Sequence, residues 1–232
     1  MRKRTVAGGL AALSLIVSVA SVDDVRAGNV AVEIRINDPQ SRSVADVAVY
    51  LLPAGGLPAV GATGAASTPG TATMDQRDRE FVPHILIVEK GTEVQFPNSD
   101  NVSHHVYSFS QPNNFEIPLY KGQAQESIRF EHTGLATLGC NIHDRMLGYI
   151  LVVDSPYFGL TDRQGVTVIE GVSPGTYQVT VWSPRMSKRS TWVADTIRVS
   201  GASDLQAYTY RLKDRLNARR NESDGSLSWD TY

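Results

Sequence analysis

Short runs in which apolar and polar residues alternate, separated by turn residues, constrain the fold of this 232-residue chain most. The run NVAVEIRIND at 29–38 is one example, and its apolar members Val30, Val32, Ile34 and Ile36 share one face. A period of two is typical of half-buried strands, and similar runs recur between turns such as EKGT, EHTG and SPG. Only LKDRLNARRN at 212–221 suggests a short helix. We therefore predict an all-β fold of one or two Greek-key β-sandwiches.

The first 27 residues have the pattern of a cleaved secretory signal peptide. MRKR is a basic start, TVAGGLAALSLIVSVA is a short apolar run rich in Ala, Gly and Ser, and VRA before Gly offers small residues for cleavage near Ala27. A membrane anchor is the alternative. With cleavage, we expect no stable membrane insertion and a periplasmic or secreted bacterial protein.

The charge of the chain argues against one class of partner. Removing residues 1–27 takes away four basic and two acidic side chains, which changes the formal net charge from −2 to −4. A mildly acidic protein has no electrostatic reason to bind nucleic acid. We predict no nucleic-acid partner.

The chain has a single cysteine, Cys140, and export changes what that means. Exported chains usually pair their cysteines in disulfides, and Cys140 has no partner within the chain. The thiol is therefore either buried and inert, paired with another chain, or bound to a metal. A Cys–His nucleophile is a further reading of Cys140 and His143, but nothing beside them resembles an acyl-transfer site.

The segment GCNIHDRMLGYILVV at 139–153 favours the metal. A soft metal would use the thiolate of Cys140, the imidazole of His143 and, weakly, the thioether of Met146. A trigonal blue-copper site needs a second imidazole, and NSDNVSHHVYSFS offers two candidates, His104 and His105, where a turn enters a strand.

These motifs resemble those of the cupredoxins, the plastocyanin- and amicyanin-like blue copper proteins. CNIHDRMLGYILVV is similar to their copper loop in its short, amicyanin-like form, and HHVYSF resembles their upstream His-Asn-Val motif. Aligned on Val106, His104 takes the ligand position and His105 the usual Asn position, a departure that leaves His105 as the alternative ligand.

The resemblance implies a ligand set and a cofactor. One type 1 copper would be held by three equatorial ligands and one axial ligand, namely His104, Cys140, His143 and Met146 respectively. Asn98, in the stretch EKGTEVQFPNSD, would support the site through a hydrogen bond outside the ligand set, and so would His105. His84 and His132 are expected at the surface or in turns.

The function implied is that of an electron carrier and not of an enzyme. The related copper enzymes need additional histidines, often in His-x-His pairs, and this chain has five histidines and no such pair. The expected partner is a redox protein, a cytochrome or a dehydrogenase. It would dock on an apolar patch containing Leu147 and Tyr149, with the edge of His143 as the electron port. A copper storage or delivery module and a structural, partner-binding sandwich are the alternatives.

The flanking segments carry a second resemblance. VAVEIRINDPQSRSVADVAVYLLPA and YFGLTDRQGVTVIEGVSPGTYQVTVWSP are similar to the two halves of carboxypeptidase-regulatory-like, prealbumin-type sandwiches. This implies a discontinuous sandwich with an inserted cupredoxin domain. The predicted boundaries are 1–27 for the signal peptide, 28–55 and 154–212 for the sandwich, 56–75 for a flexible loop, 76–153 for the cupredoxin domain and 213–232 for a polar tail.

A simpler division remains open, with a cupredoxin at 29–153 followed by an Ig-like module at 154–212. The whole arrangement resembles exported proteins often labelled methylamine utilization proteins. That label reflects gene neighbourhoods, and no amine chemistry is visible in these residues.

Overall fold

The computed structural model describes residues 30–38, 43–55, 70–122, 127–186, 192–201, 205–212 and 216. All regular elements among them are strands, so the predicted all-β class is confirmed. No helix that could span a bilayer occurs in these ranges. The predicted signal peptide and, apart from Leu212 and Leu216, the predicted helix at 212–221 and the polar tail lie outside the described residues.

The strands, in chain order, are β1 (Val30–Asn37), β2 (Ala48–Pro53), β3 (Thr71–Thr73), β4 (Asp75–Arg77), β5 (Glu80–Val82), β6 (Ile85–Glu89), β7 (Glu93–Gln95), β8 (His104–Ser108), β9 (Phe115–Tyr120), β10 (Ile128–Arg129), β11 (Gly134–Gly139), β12 (Leu147–Val153), β13 (Phe158–Leu160), β14 (Val166–Val172), β15 (Gly175–Trp182), β16 (Trp192–Val199) and β17 (Leu205–Arg211). The end of the predicted loop 56–75 differs from expectation, because it contains β3 and the start of β4.

Two sheets form the first sandwich, with strand orders β14-β1-β17 and β13-β2-β15-β16. The alternation in β1 acts as predicted, since its four apolar residues are buried and face a core that includes Leu51, Val179 and Val181. Strands from both ends of the chain meet here: β1 pairs in parallel with β17, and β2 lies between β13 and β15. The domain boundaries stay predictions.

Two further sheets and a hairpin form the second sandwich. The larger sheet has the order β6-β12-β11-β8-β9, the smaller one β10-β7-β3, and β4 and β5 form the hairpin. Their buried side chains form a separate core that includes Phe96, Phe130, Leu138 and Ile150, and Cys140 belongs to the same cluster. The cysteine therefore lies at the margin of an apolar core.

A third apolar cluster joins the two sandwiches. It combines Ala48 and Tyr50 of β2 and Trp182 of β15 with residues of β6 and β12. The rings of Tyr149 and Trp182 are in edge contact at 5.6 Å between centroids. Because these side chains are buried between the sandwiches, the two cores are coupled through an apolar interface.

Candidate metal centre

Strand pairing brings two distant segments of the chain together at one end of the second sandwich. β11 and β12 pair in an antiparallel ladder whose last pair is Gly139 and Leu147, so residues 140–146 form the connecting loop. β8 runs antiparallel to β11, with Tyr107 opposite Gly139. The start of β8, His104, therefore lies beside the end of β11, where Cys140 follows.

Three donor atoms converge at this end. Cys140 Sγ lies 3.7 Å from His104 Nδ1 and 3.6 Å from His143 Nδ1, and the two Nδ1 atoms are 3.1 Å apart. His104 and Cys140 are buried, and His143 is partly exposed. The structure thus brings together three of the four predicted ligands.

The fourth predicted ligand, Met146, closes the same loop. Its backbone N–H donates to the carbonyl of His143 at 2.9 Å, and its side chain is buried in the core cluster that contains Cys140. The side chain of Met146 therefore lies on the buried side of the loop, in the apolar core.

The chemistry of these donors fits a soft metal ion. The three distances define a triangle whose centre is about 2.0 Å from each atom. That is close to the lengths of about 2.0–2.1 Å and 2.3 Å which imidazole nitrogen and thiolate sulfur make to zinc, another first-row ion. Two imidazoles and one thiolate in a trigonal arrangement are the donor set of blue-copper sites.

The ring of His104 is held on the side away from Cys140 by the carboxylate of Asp100, a residue that the sequence analysis did not identify. His104 Nε2 and Asp100 Oδ2 are 2.6 Å apart. The same carboxylate accepts the backbone N–H groups of Asp78 at 2.6 Å and Arg79 at 2.9 Å. Asp100 lies four residues before His104 in NSDNVSHH, and its acidic side chain beside a candidate ligand was the available signal.

The turn that holds Asp100 has an unusual backbone. Asp78 and Arg79 connect β4 to β5 as a two-residue hairpin loop, with φ of 55° and 59°. Two consecutive left-handed residues define a type I′ turn, which usually contains Asn or Gly because other residues are strained there. The turn directs both N–H groups at Asp100.

The two residues assigned to supporting roles occupy different positions. Asn98 braces the loop before β8, since its Nδ2 donates to the carbonyls of Val102 and Tyr120 and its Oδ1 accepts the N–H of Asp100. His105 points away from the triangle, and its Nε2 is 2.9 Å from Glu116 Oε1. The structure therefore places the ring of His104, and not that of His105, beside Cys140.

The surroundings of the partly exposed imidazole of His143 favour its neutral form. Burial, followed by the nearby His104 and Arg79, lowers the pKa of His143 below its ordinary value, with Asp100 acting against them. Burial alone would raise the pKa of Asp100, but its hydrogen bonds with Arg79, His104 and Asp78 outweigh it and leave that pKa lowered. A neutral His143 offers a lone pair to a cation.

The surroundings correct one expectation. Leu147 and Ile142 are exposed beside His143, but Tyr149 is 8% exposed and packs against Trp182 and His84. Tyr149 faces the interface between the sandwiches because it lies two residues beyond Leu147 on a strand covered on both faces, so its assignment to a surface patch was wrong. His84 and His132 are exposed, as predicted.

Gly139 creates a close contact beside the cysteine. A Cβ at this position would lie 2.6 Å from Cζ and from the hydroxyl of Tyr107, so the ring covers the glycine backbone. Tyr107 in turn packs against Phe109, which is 78% exposed, at 4.8 Å between ring centroids. The residue before Cys140 is therefore fixed by an aromatic ring from β8.

No protein-family model and no curated protein matches this chain. Three solved structures illustrate what it is similar to. A novel purple cupredoxin from Nitrosopumilus maritimus is 21% identical over 35% of this chain and 99% of that one, with a TM-score of 0.33. A Cu(I) amicyanin variant is 20% identical over 36% and 82%, with a TM-score of 0.33. The copper-containing nitrite reductase of Thermus scotoductus SA-01 is 27% identical over 41% and 25%, with a TM-score of 0.34.

Proposed function

We propose that this chain is an exported type 1 copper protein that carries single electrons between redox partners. The observation that supports the proposal is the triangle of His104 Nδ1, Cys140 Sγ and His143 Nδ1 at the end of the second sandwich. Two imidazole nitrogens and a sulfur face one another at 3.1–3.7 Å, and one soft cation would accept a lone pair from all three atoms.

The residues of the chain have distinct parts in this function. His104, Cys140 and His143 would hold the metal, with Met146 as the weak axial ligand. Copper, when bound, would supply the copper(II)/copper(I) redox couple, which accepts one electron from a donor protein and passes it to an acceptor. His104 belongs to the paired strand β8, and His143 lies in the short loop between β11 and β12. This framework would keep the donor atoms in place when the charge of the metal changes.

The exposed surface beside the site suggests where a partner docks. His143 is the partly exposed ligand, and Ile142 and Leu147 lie at the surface next to it. We propose that a cytochrome or a dehydrogenase docks there in a small, transient encounter, as redox partners usually do. The periplasmic location, the absence of an enzymatic activity and a prealbumin-type first sandwich belong to the same proposal.

Addition of copper(II) to the purified protein tests the proposal. We expect an intense thiolate-to-copper band in the visible spectrum, and we expect C140S to abolish it. H104G and H143G should lose or shift the band, and H105Q is the matched control that should retain it. M146L should retain the band and change the reduction potential, since the axial ligand tunes it.

The other outcomes identify the alternatives. Binding of copper(I) without the band would indicate a storage or delivery module, and failure to bind either ion would leave a structural sandwich. If the band is present, stopped-flow electron exchange with a cytochrome separates a carrier from a store. Slow exchange at saturating cytochrome would contradict the carrier function.

A further inference from the structure

The histidines at 104 and 105 are adjacent in β8, and each is bound to a carboxylate. His104 is paired with Asp100, and His105 with Glu116 of β9. Only His104 turns its other ring nitrogen towards Cys140. The two pairs also differ in burial, since 12% of the Asp100 side chain and 64% of the Glu116 side chain are exposed.

The Asp100 pair fixes which nitrogen of His104 carries hydrogen. An ionised carboxylate only accepts hydrogen bonds, so the ring nitrogen at 2.6 Å from Asp100, Nε2, must donate. In the neutral ring this leaves the lone pair on Nδ1, the atom that faces Cys140 and His143. A ring with the opposite tautomer would direct a hydrogen into the triangle.

The hairpin turn makes the pair possible. A mostly buried carboxylate needs more than one donor, and Asp78 and Arg79 supply two backbone N–H groups without any counter-charge. The negative charge of Asp100 is therefore stabilised beside the site by backbone donors that carry no net charge. Asp100, which is distant from Cys140 and His143 in the sequence, thus contacts His104 at the ring nitrogen that faces away from Cys140.

We propose that Asp100 is a positioning residue of the metal centre, which fixes the tautomer and orientation of His104 and favours copper(II) over copper(I) through its charge. The part of this inference that concerns copper rests on the proposed function. The part that concerns His104 applies to the metal-free protein. Histidine ligands commonly donate their second N–H to such a partner, which raises their basicity as ligands.

D100N is the informative substitution, because asparagine cannot accept at both of its terminal atoms. Asp100 Oδ1 accepts from Asp78, and Oδ2 accepts from Arg79 and His104. An amide NH₂ placed at Oδ2 opposes two donors, and one placed at Oδ1 opposes the third. The variant keeps the size of the side chain and loses the charge and at least one hydrogen bond.

We expect D100N to weaken copper(II) binding by about 10–100-fold, the usual effect of removing a partner of a metal-binding histidine. Copper(I) binding should weaken less, so the reduction potential should rise by about 59 mV for each tenfold difference between the two losses. E116Q is the matched control, since it removes a carboxylate charge from the neighbouring histidine of the same strand. Its affinities and potential should remain those of the wild type.

A measurement on the metal-free wild-type protein keeps the inference testable if D100N fails to fold. At pH 8, above the ordinary histidine pKa of about 6.5, ¹⁵N-edited NMR should show His104 with hydrogen on Nε2. Hydrogen on Nδ1 would overturn the positioning role. Equal potentials in D100N and E116Q would overturn the effect on copper. A wild-type protein that binds no copper would refute the proposed function, while the tautomer would still decide the role of Asp100.

Discussion

The two sandwiches are built by the same alternation of residues and differ in what lies at their ends. The first has a core made mostly of Val, Ile and Leu side chains, with partly buried tyrosines such as Tyr157 packed against it. The second has a similar core that also contains Cys140 and Met146, and the imidazoles of His104 and His143 lie next to Cys140. Strand patterning therefore produces the framework in both, and the loops at one end of the second sandwich produce the site.

The difference also concerns how polarity is buried. His104 has no exposed surface, and an unpaired imidazole in that position would be costly. Asp100, held in turn by the Asp78–Arg79 turn, satisfies it. In the first sandwich, the hydroxyl of the buried Thr161 donates to the carbonyl of Val44 and accepts the N–H of Val47, and the described residues of that sandwich contain no cluster of candidate metal ligands.

Replacing Trp182 by alanine should have the largest effect, because this ring joins the two sandwiches. Trp182 is fully buried, and truncation of a buried tryptophan costs about 3–5 kcal/mol. We expect the wild type to unfold in one transition and W182A in two. Far-UV circular dichroism would follow both transitions, and the reactivity of the single thiol, Cys140, would identify that of the second sandwich. A single coincident transition in W182A would contradict the coupling, and W182F is the conservative control.

Truncating one leucine in each core should separate stability from function. Leu51 in the first sandwich and Leu138 in the second are both fully buried. We expect L51A and L138A each to lower the free energy of unfolding by about 2–5 kcal/mol in urea denaturation. Only L138A should also alter the copper spectrum of the folded protein, because Leu138 lies two residues before Cys140. An altered spectrum in L51A would show that the site depends on both cores.

Alanine substitutions at Gly139 in the second sandwich and at Gly159 in the first test how tightly each sandwich is packed. G139A inserts a methyl group against Tyr107, and G159A inserts one against Thr167. We expect each to cost about 1–3 kcal/mol in thermal or urea denaturation through overpacking. G139A alone should shift the copper spectrum, because it displaces the backbone beside Cys140. The double variant G139A/Y107A should recover part of the loss, and additive losses would contradict direct contact.

The smallest effect is a loss of stability in alkali that both sandwiches should share. Burial, the larger cause, raises the pKa of Tyr120 and of Tyr177 to about 12. Because the unfolded phenols ionise near pH 10, stability is fully present below that pH and falls as the pH rises towards 12. Between pH 9 and 11 we expect a loss on the order of 1 kcal/mol per tyrosine. Urea denaturation across this range would measure it, and Y120F and Y177F should each flatten the slope.

Much of the local structure was predictable because it depends on neighbours in the sequence. The alternation in β1, the turn at EKGT and the strand after Met146 all appear where the pattern indicates them. The spacing of Cys140, His143 and Met146 places them in one short loop, and that proximity follows from chain connectivity. Tyr149 was misplaced because the alternation does not reveal that β12 is covered on both faces.

The sequence by itself determined the strands, the turns and a loop rich in soft ligands. Only the tertiary structure decided that His104, and not His105, faces Cys140, because the twist and pairing of β8 set which side of the strand points into the site. It also brought the Asp78–Arg79 turn against Asp100 across more than twenty residues of chain. Such contacts depend on how the sheets pack in three dimensions, and the alternation of residues along the chain does not specify that packing.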